Sequence, residues 1–183
     1  MKPIYKILVM FFLGGTAVIA QTDYNPEARI VELGIELPEP PQPVANYVST
    51  VQVGNLLFLS GGGPLLPDGK YITGKLGRDL TVEQGYEAAR IAGLGQLSKI
   101  KAALGSLNRV KRIARIQGMV NASSDFTQHS FVTNGISDLM GEIFGERGRH
   151  VRTSVGMGSL PFNIAVEVDM IVEVFPLEEN ESP

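Results

Sequence analysis

The chain has 183 residues, with 16 basic against 19 acidic side chains, a formal charge of −3, 21 glycines and no cysteine. That length fits one ordinary domain. The acidic balance argues against nonspecific nucleic-acid binding, which needs a basic footprint, and the missing cysteine excludes disulfides, thiolate nucleophiles and Cys-ligated metals.

The first twenty residues stand apart. "MKPIYK" carries Lys2 and Lys6 and no acid, so the chain beyond it is more acidic still. The apolar run "ILVMFFLGGTAVIA" follows, with Val18 and Ala20 at the −3 and −1 positions before Gln21. This pattern predicts a secretory signal peptide over residues 1–20. The run is shorter than the about 20 residues of a bilayer span. The expected product is therefore periplasmic or extracellular and off the membrane after cleavage; the alternative is an uncleaved anchor.

Residues 21–45 predict a short helix and a connector. Asn25 can cap "PEARIVE", Pro26 suits the first helical position and Gly34 can end it. "LPEPPQP" (37–43) has too many prolines to be anything but extended. The domain proper is expected over 46–176, followed by an acidic tail at 177–183.

Residues 46–61 read as a β-hairpin turning at Gly54-Asn55, and 61–70 as a loop with an Asp68-Gly69 turn. Residues 81–105 are the clearest helix. Thr81 and Gln84 have capping-box spacing, apolar residues recur at helical intervals, and Gly105 stops it. Its internal glycines 85, 93 and 95 each cost about 1 kcal/mol relative to alanine, which close packing onto a sheet would offset. A strand is expected at 109–122, a broken helix at 127–145, and strands at 151–157 and 164–175. The order β-β-α-β-α-β-β predicts an α+β single domain, a mixed sheet with helices packed on one face.

Two ionised residues sit in the last two strands. Alternation puts Ile164, Val166, Val168, Met170, Val172 and Val174 on one face of the final strand, expected to meet the helices, and Ala165, Glu167, Asp169, Ile171 and Glu173 on the other. If the strands pair across "SLPFN", Arg152 and Glu167 share the face without helices, beside glycine and serine. An arginine there offers a planar fork for a carboxylate, and a glutamate can orient a water or take a proton. A structural ion pair on a solvated or subunit-covered face is the plainer reading.

"RTSVGMGSLPFNIAVEVD" resembles the C-terminal signature of the RidA/YjgF family, also called endoribonuclease L-PSP. "NYVSTVQVGNLLFLSGGGP" is similar to the family's first hairpin. "LGIELPEPPQPVANYV", "GRDLTVEQGYEAAR" and "NGISDLMGEIFGERGRHVRTSVGMGSLP" resemble the YjgF/chorismate-mutase-like branch, so the likeness runs from about Ala28 to Phe175. It implies a chorismate-mutase-like fold and a homotrimer with clefts between subunits. It implies hydrolysis of reactive enamines or imines to keto acid and ammonia, without a cofactor. Carried over residue by residue, Arg152 falls on the substrate-carboxylate arginine and Glu167 on the water-positioning glutamate; Tyr47, Ser60 and Gly61 fall on cleft-lining, substrate-binding positions. This sequence departs at Gly62, where typical deaminases carry glutamine, and at Gly156, which replaces a common glutamate.

Other candidates are weaker. His150 lies two residues from Arg152 and reads as a polar strand-end group, and His129, in the second helix, has a weaker case for catalysis still. No cluster has metal-ligand spacing, so no metal is expected. Asn134 and Asp138 share a helix face and suit packing and capping. Alternation sends Arg109, Lys111, Ile113 and Arg115 to one solvated face rather than an RNA track. "GGG" at 61–63 lacks the Lys-Ser/Thr of a phosphate loop.

The leading expectation is an exported hydrolase acting on a small carboxylated enamine or imine, with Arg152 and Glu167 catalytic. The alternative is a non-catalytic trimer binding a small anion. An endoribonuclease ranks behind both, because the charge and the lack of a histidine pair oppose it.

Overall fold

A computed structural model describes residues 24–43 and 45–176. The expected signal at 1–20 and acidic tail at 177–183 lie outside the described residues.

Five strands form one mixed sheet. Strands β1 (Thr50–Val53) and β2 (Leu56–Gly62) make the expected antiparallel hairpin, turning at Gly54 with φ +57. The first strand is shorter than expected, because residues 45–49 bend instead of extending, although the Ser60 amide still donates to the Ser49 carbonyl at 2.9 Å. Strands β3 (Val110–Asn121), β4 (Val151–Met157) and β5 (Val166–Val174) complete the order β1-β2-β5-β3-β4. Thus β5, the last strand of the chain, lies between β2 and β3 and runs antiparallel to both.

Helices α1 (Pro26–Glu32) and α2 (Val82–Leu104) form where the caps predict, whereas α3 (His129–Phe144), expected to be broken, is continuous and starts without a side-chain cap. Asn25 Oδ1 accepts from the Ala28 amide at 3.0 Å. Thr81 and Gln84 make a full capping box, and Gly105 ends α2 in the left-handed region. The long helix α2 packs over β5 and β2, α3 packs over β3 and β4, and the two helices meet each other. Val166, Val168, Met170, Val172 and Val174 are all sealed beneath them, with Ile113, Ile116, Leu57 and Leu59. Each such side chain contributes about 1.5–3 kcal/mol on burial, so this face carries the stability of the domain. Gly93 lets α2 approach α3, since a Cβ there would press on Leu139 and Ile136 at 2.9 and 3.0 Å. Gly95 is different: a Cβ there would meet nothing within 4 Å.

Three expectations are corrected. First, β4 and β5 do not pair, and residues 158–165 are not a hairpin turn. The crossover through α3 places β4 parallel to β3, and β3 occupies the place between β4 and β5. Second, Arg152 and Glu167 therefore lie on opposite faces. Arg152 pairs with Ile116, which pairs with the buried Met170, so all three point toward the helices. Glu167 pairs with Met119 on the bare face. On β4 it is Val151 and Val155 that face outward. Third, irregular register between Val110 and Arg112 and between Ile113 and Arg115 breaks the alternation of the basic run. Ile113 is buried, while Lys111, Arg112 and Arg115 pair with Glu173 and Asp169 of β5.

Candidate functional site

Two polar centres stand at different places on the sheet. The first forms where β2 loses register with β5 between Leu59 and Gly62. This bulge frees Ser60 and Gly61 from regular pairing, turning Gly61 toward Glu167 and the Ser60 hydroxyl toward Lys99. Gly61 is required by the glutamate: a Cβ there would fall well inside van der Waals distance of the Glu167 carboxylate. A cavity of 370 Å³ opens above the bulge, lined among others by Tyr47, Ser60, Gly61, Tyr71, Phe162 and Glu167. Four of the five residues singled out from the sequence, Tyr47, Ser60, Gly61 and Glu167, thus come together. Burial pushes the Glu167 carboxyl above its ordinary range, and neighbouring Asp169 adds to that; the positive charge of Lys99 opposes it.

Lys99 was not foreseen. It reaches the same bulge from the helix side, with its Nζ donating to the Ser60 and Gly61 carbonyls at 3.0 Å each and to Ser60 Oγ at 3.3 Å. Gln96, one turn earlier on α2, donates to the Ser60 and Val168 carbonyls. Gly62 makes room for both, since a Cβ there would stand 3.1 Å from Gln96 Nε2 and 3.3 Å from Lys99 Nζ. Consecutive glycines therefore admit a carboxylate on one side of the bulge and an ammonium on the other. Burial draws the Lys99 pKa down to about 8, and Glu167 pulls it partly back. The signal was present: Gln96 and Lys99 fall seven and ten residues after Ala89, on the buried face of α2.

The second centre surrounds Arg152 on the helix side of β4. Its Nη1 donates to Asn134 Oδ1 at 2.9 Å and to Ser137 Oγ at 2.8 Å, and its Nη2 donates to the Ser130 carbonyl at 3.4 Å. The guanidinium is thus held by one face of α3, with N–H groups to spare for a ligand. Behind it, Ser137 Oγ meets His150 Nε2 at 3.1 Å, while His150 Nδ1 lies 2.7 Å from the Gly148 carbonyl. That carbonyl requires the hydrogen on Nδ1, so neutral His150 accepts from Ser137 through Nε2. Burial favours the neutral ring by lowering its pKa; the Gly148 carbonyl works against this and Arg152 with it. His150 is therefore a partner of the arginine's support. His129 packs edge-on against Phe126. Asn134 holds the arginine, whereas Asp138, one turn on, accepts from Tyr86 Oη at 3.0 Å. Packing and capping thus fails as the reading of Asn134.

Neither centre includes both a free guanidinium and the glutamate. Glu167 has a cavity and no arginine; Arg152 has a fork and no catalytic carboxylate beside it.

Comparison with known proteins gives a consistent answer. Residues 27–174 match the family model described as "YjgF/chorismate_mutase-like, putative endoribonuclease". The Trypanosoma cruzi protein TCP17 is 48% identical over 148 residues, covering 80% of this chain and 92% of that protein. A Dermatophagoides farinae protein named 2-iminobutanoate/2-iminopropanoate deaminase is 28% identical over 141 residues, covering 76% of this chain and 94% of its own. Among solved structures, Atu1372 of Agrobacterium tumefaciens, a protein of unknown function, superposes with a TM-score of 0.76 at 41% identity, over 82% of this chain and 92% of that one.

Proposed function

This chain belongs to the YjgF/chorismate mutase-like family, and on that premise we propose that it is a deaminase of reactive imines and enamines bearing a carboxylate. The observation that carries the reading is Glu167, a half-buried carboxylate of raised pKa facing a cavity across a floor of glycine. A carboxylate in that setting suits a general base near neutrality. Glu167 takes a proton from water as the oxygen attacks the imine carbon. The same carboxyl returns that proton to the nitrogen, giving a carbinolamine; it then takes the carbinolamine's hydroxyl proton as the C=O bond forms and the C–N bond breaks, and passes it to the departing ammonia. The products are a keto acid and ammonia. The deaminase among the relatives supports the same class of reaction.

The substrate carboxylate needs a cation that the Glu167 cavity lacks on the substrate side. Arg152 has the chemistry but the opposite face, so the proposed cleft joins Glu167 of one copy to Arg152 of a neighbouring copy. The bare sheet face favours such an assembly. Val51, Val53, Leu56 and Phe58 form a contiguous apolar patch on it, with Val53 62% exposed. A homotrimer is the expected state, acting outside the cytoplasm after cleavage before Gln21.

Imines generated in place by an amino-acid oxidase provide the test. Ammonia release should be accelerated by the wild type and not by Glu167→Gln or Arg152→Ala. Equal release with and without wild-type protein across the panel would end the enzyme reading. Binding of keto acids without turnover would then favour an anion-binding protein. N-terminal sequencing of secreted protein checks the cleavage.

A further inference from the structure

A second cavity lies behind the glycine run. It measures 550 Å³ and is bounded by α2, the proline-rich segment at 36–41 and the loop at 62–69. That size is ordinary for a small-molecule site. Its walls are apolar, with Leu37, Leu66, Ile91 and Leu94 prominent. It shares Pro41, Gly62, Gly63, Leu65 and Lys99 with the Glu167 cavity, so the partition between them includes two residues without side chains.

Gly95 gives an independent reason to regard this space as used. Glycine inside a helix is unfavourable, and the other internal glycines of α2 repay it: Gly85 lies against Leu76 and Val132, and Gly93 against Ile136 and Leu139. Gly95 lines the second cavity and packs against nothing. What its missing side chain does is keep the cavity empty. The charges at the site also select. Glu36 and Glu39 stand at the wall of the second cavity, and Lys99 stands at the partition with its hydrogens committed to Ser60 and Gly61. An acidic group entering here would meet repulsion and no free donor.

We infer that this second cavity receives the side chain of the imine whose reacting carbon lies at Glu167, and that the preferred substrates derive from amino acids with large aliphatic or aromatic side chains. The inference rests on the proposed deaminase reading and narrows it to a substrate class. The polar end of the molecule stays with Glu167, Ser60 and the arginine. The apolar end passes over Gly62 and Gly63 and displaces water from beside Ile91 and Leu94. Small imines would leave that cavity unfilled, and acidic ones would be refused.

Imines of alanine, leucine, phenylalanine and glutamate, generated in place, are compared by ammonia release with the wild type, Gly95→Leu and Gly95→Trp. A single methylene in a fitted pocket is worth about tenfold or more in efficiency. The wild type should therefore favour the leucine and phenylalanine imines over the alanine imine by at least tenfold in kcat/KM, with the glutamate imine poorest. Filling the cavity at Gly95 should shrink the leucine-to-alanine ratio by about tenfold. Calorimetry on the wild type alone gives a second readout: 4-methyl-2-oxopentanoate should bind at least ten times tighter than pyruvate. Turnover of the alanine imine with no preference for the larger ones, or a preference that survives both Gly95 variants, overturns the inference and leaves the deaminase reading standing. No turnover of any imine overturns both.

Discussion

The two faces of the sheet are made by the same strands and alternate residue by residue, yet they solve different problems. On the helix side, Val168, Val172, Ile116 and Leu57 are sealed within one copy of the chain. On the other side, Phe58, Val51 and Val151 remain 40%, 51% and 68% exposed, interspersed with Glu167, Asp169 and Glu173. The first face is complete. The second has apolar area left open and a carboxylate above its ordinary pKa, and nothing among the described residues covers it. A fold of this kind separates stability from function by parity along the strand: one residue step exchanges a core position for a cleft position.

Substitutions that act on one face alone sharpen this contrast. The largest effect is expected for Glu167→Gln. Loss of the base should lower the catalytic rate by about 10²–10⁴-fold. Its effect on stability runs the other way. A carboxyl whose folded pKa lies above 4.5 stabilises fully below that value and loses that contribution as pH rises through its folded pKa. At neutral pH the glutamine variant should therefore melt no lower than wild type. A large drop in melting temperature would move Glu167 into the structural class.

Next comes complementation, which follows from the opposite orientation of the two residues. Arg152→Ala and Glu167→Gln should each be nearly inactive. Co-expressed, they should recover activity approaching about a quarter of wild type, the share of clefts that random mixing leaves intact in a closed ring. No recovery, with mixed assemblies shown to form, would mean that both residues serve one copy's site.

Phe58→Glu tests the bare face directly. It should dissociate the assembly at micromolar concentration, seen by sedimentation, while far-ultraviolet circular dichroism stays native. A variant that remains assembled would place the contact elsewhere.

The smallest effect is electrostatic. The proposed mechanism requires ionised Glu167, so the acid limb of the rate profile should fall at a pH above 4.5. Lys99→Met removes the cation that holds this pKa down, so the limb should move to higher pH by a fraction of a unit to about one unit. The same variant should lose a gain in stability that wild type shows as pH rises from about 8 toward 10.5, where a depressed lysine pKa leaves the unfolded chain holding more protons. An acid limb unmoved by Lys99→Met would deny the coupling across the bulge.

Alternation made β5 legible, because its valines and acids contrast sharply and both sides obey the period. The capping box at Thr81 and Gln84 fixed the start of α2 for the same kind of reason: a local geometry with its own chemistry. Glu167, Tyr47, Ser60 and Gly61 could be grouped through the family resemblance, and the fold brings them together. Arg152 was assigned to the wrong face because β4 offers little contrast. Its even positions carry Arg, Ser and Gly and its odd positions Val, Thr and Val, which reads as valine inward. The sheet turns it over, because the small residues are what α3 needs: Thr133 packs against Gly118 and bonds Ser154. The register irregularities in β3 were equally invisible, since an extra residue leaves no mark in a run of Arg and Lys. Lys99 hid behind the habit of lysines to lie on solvated helix faces. Only its spacing from Ala92 and Gln96 argued otherwise.

The position of β5 carries a consequence for how the chain is made. It joins the β1–β2 hairpin to the β3–β4 pair, and no other strand among the described residues does so. A nascent polypeptide that has emerged only as far as Gly158 has two ribbons and three helices but no common sheet, and the floor of the Glu167 cavity does not yet exist. Leu57 has Gln52 beside it in the hairpin but must wait for Val172, more than a hundred residues downstream, for its second neighbour in the ladder. Such distant closure is slow. Docking of β5 is therefore the step that locks two waiting halves into one sheet.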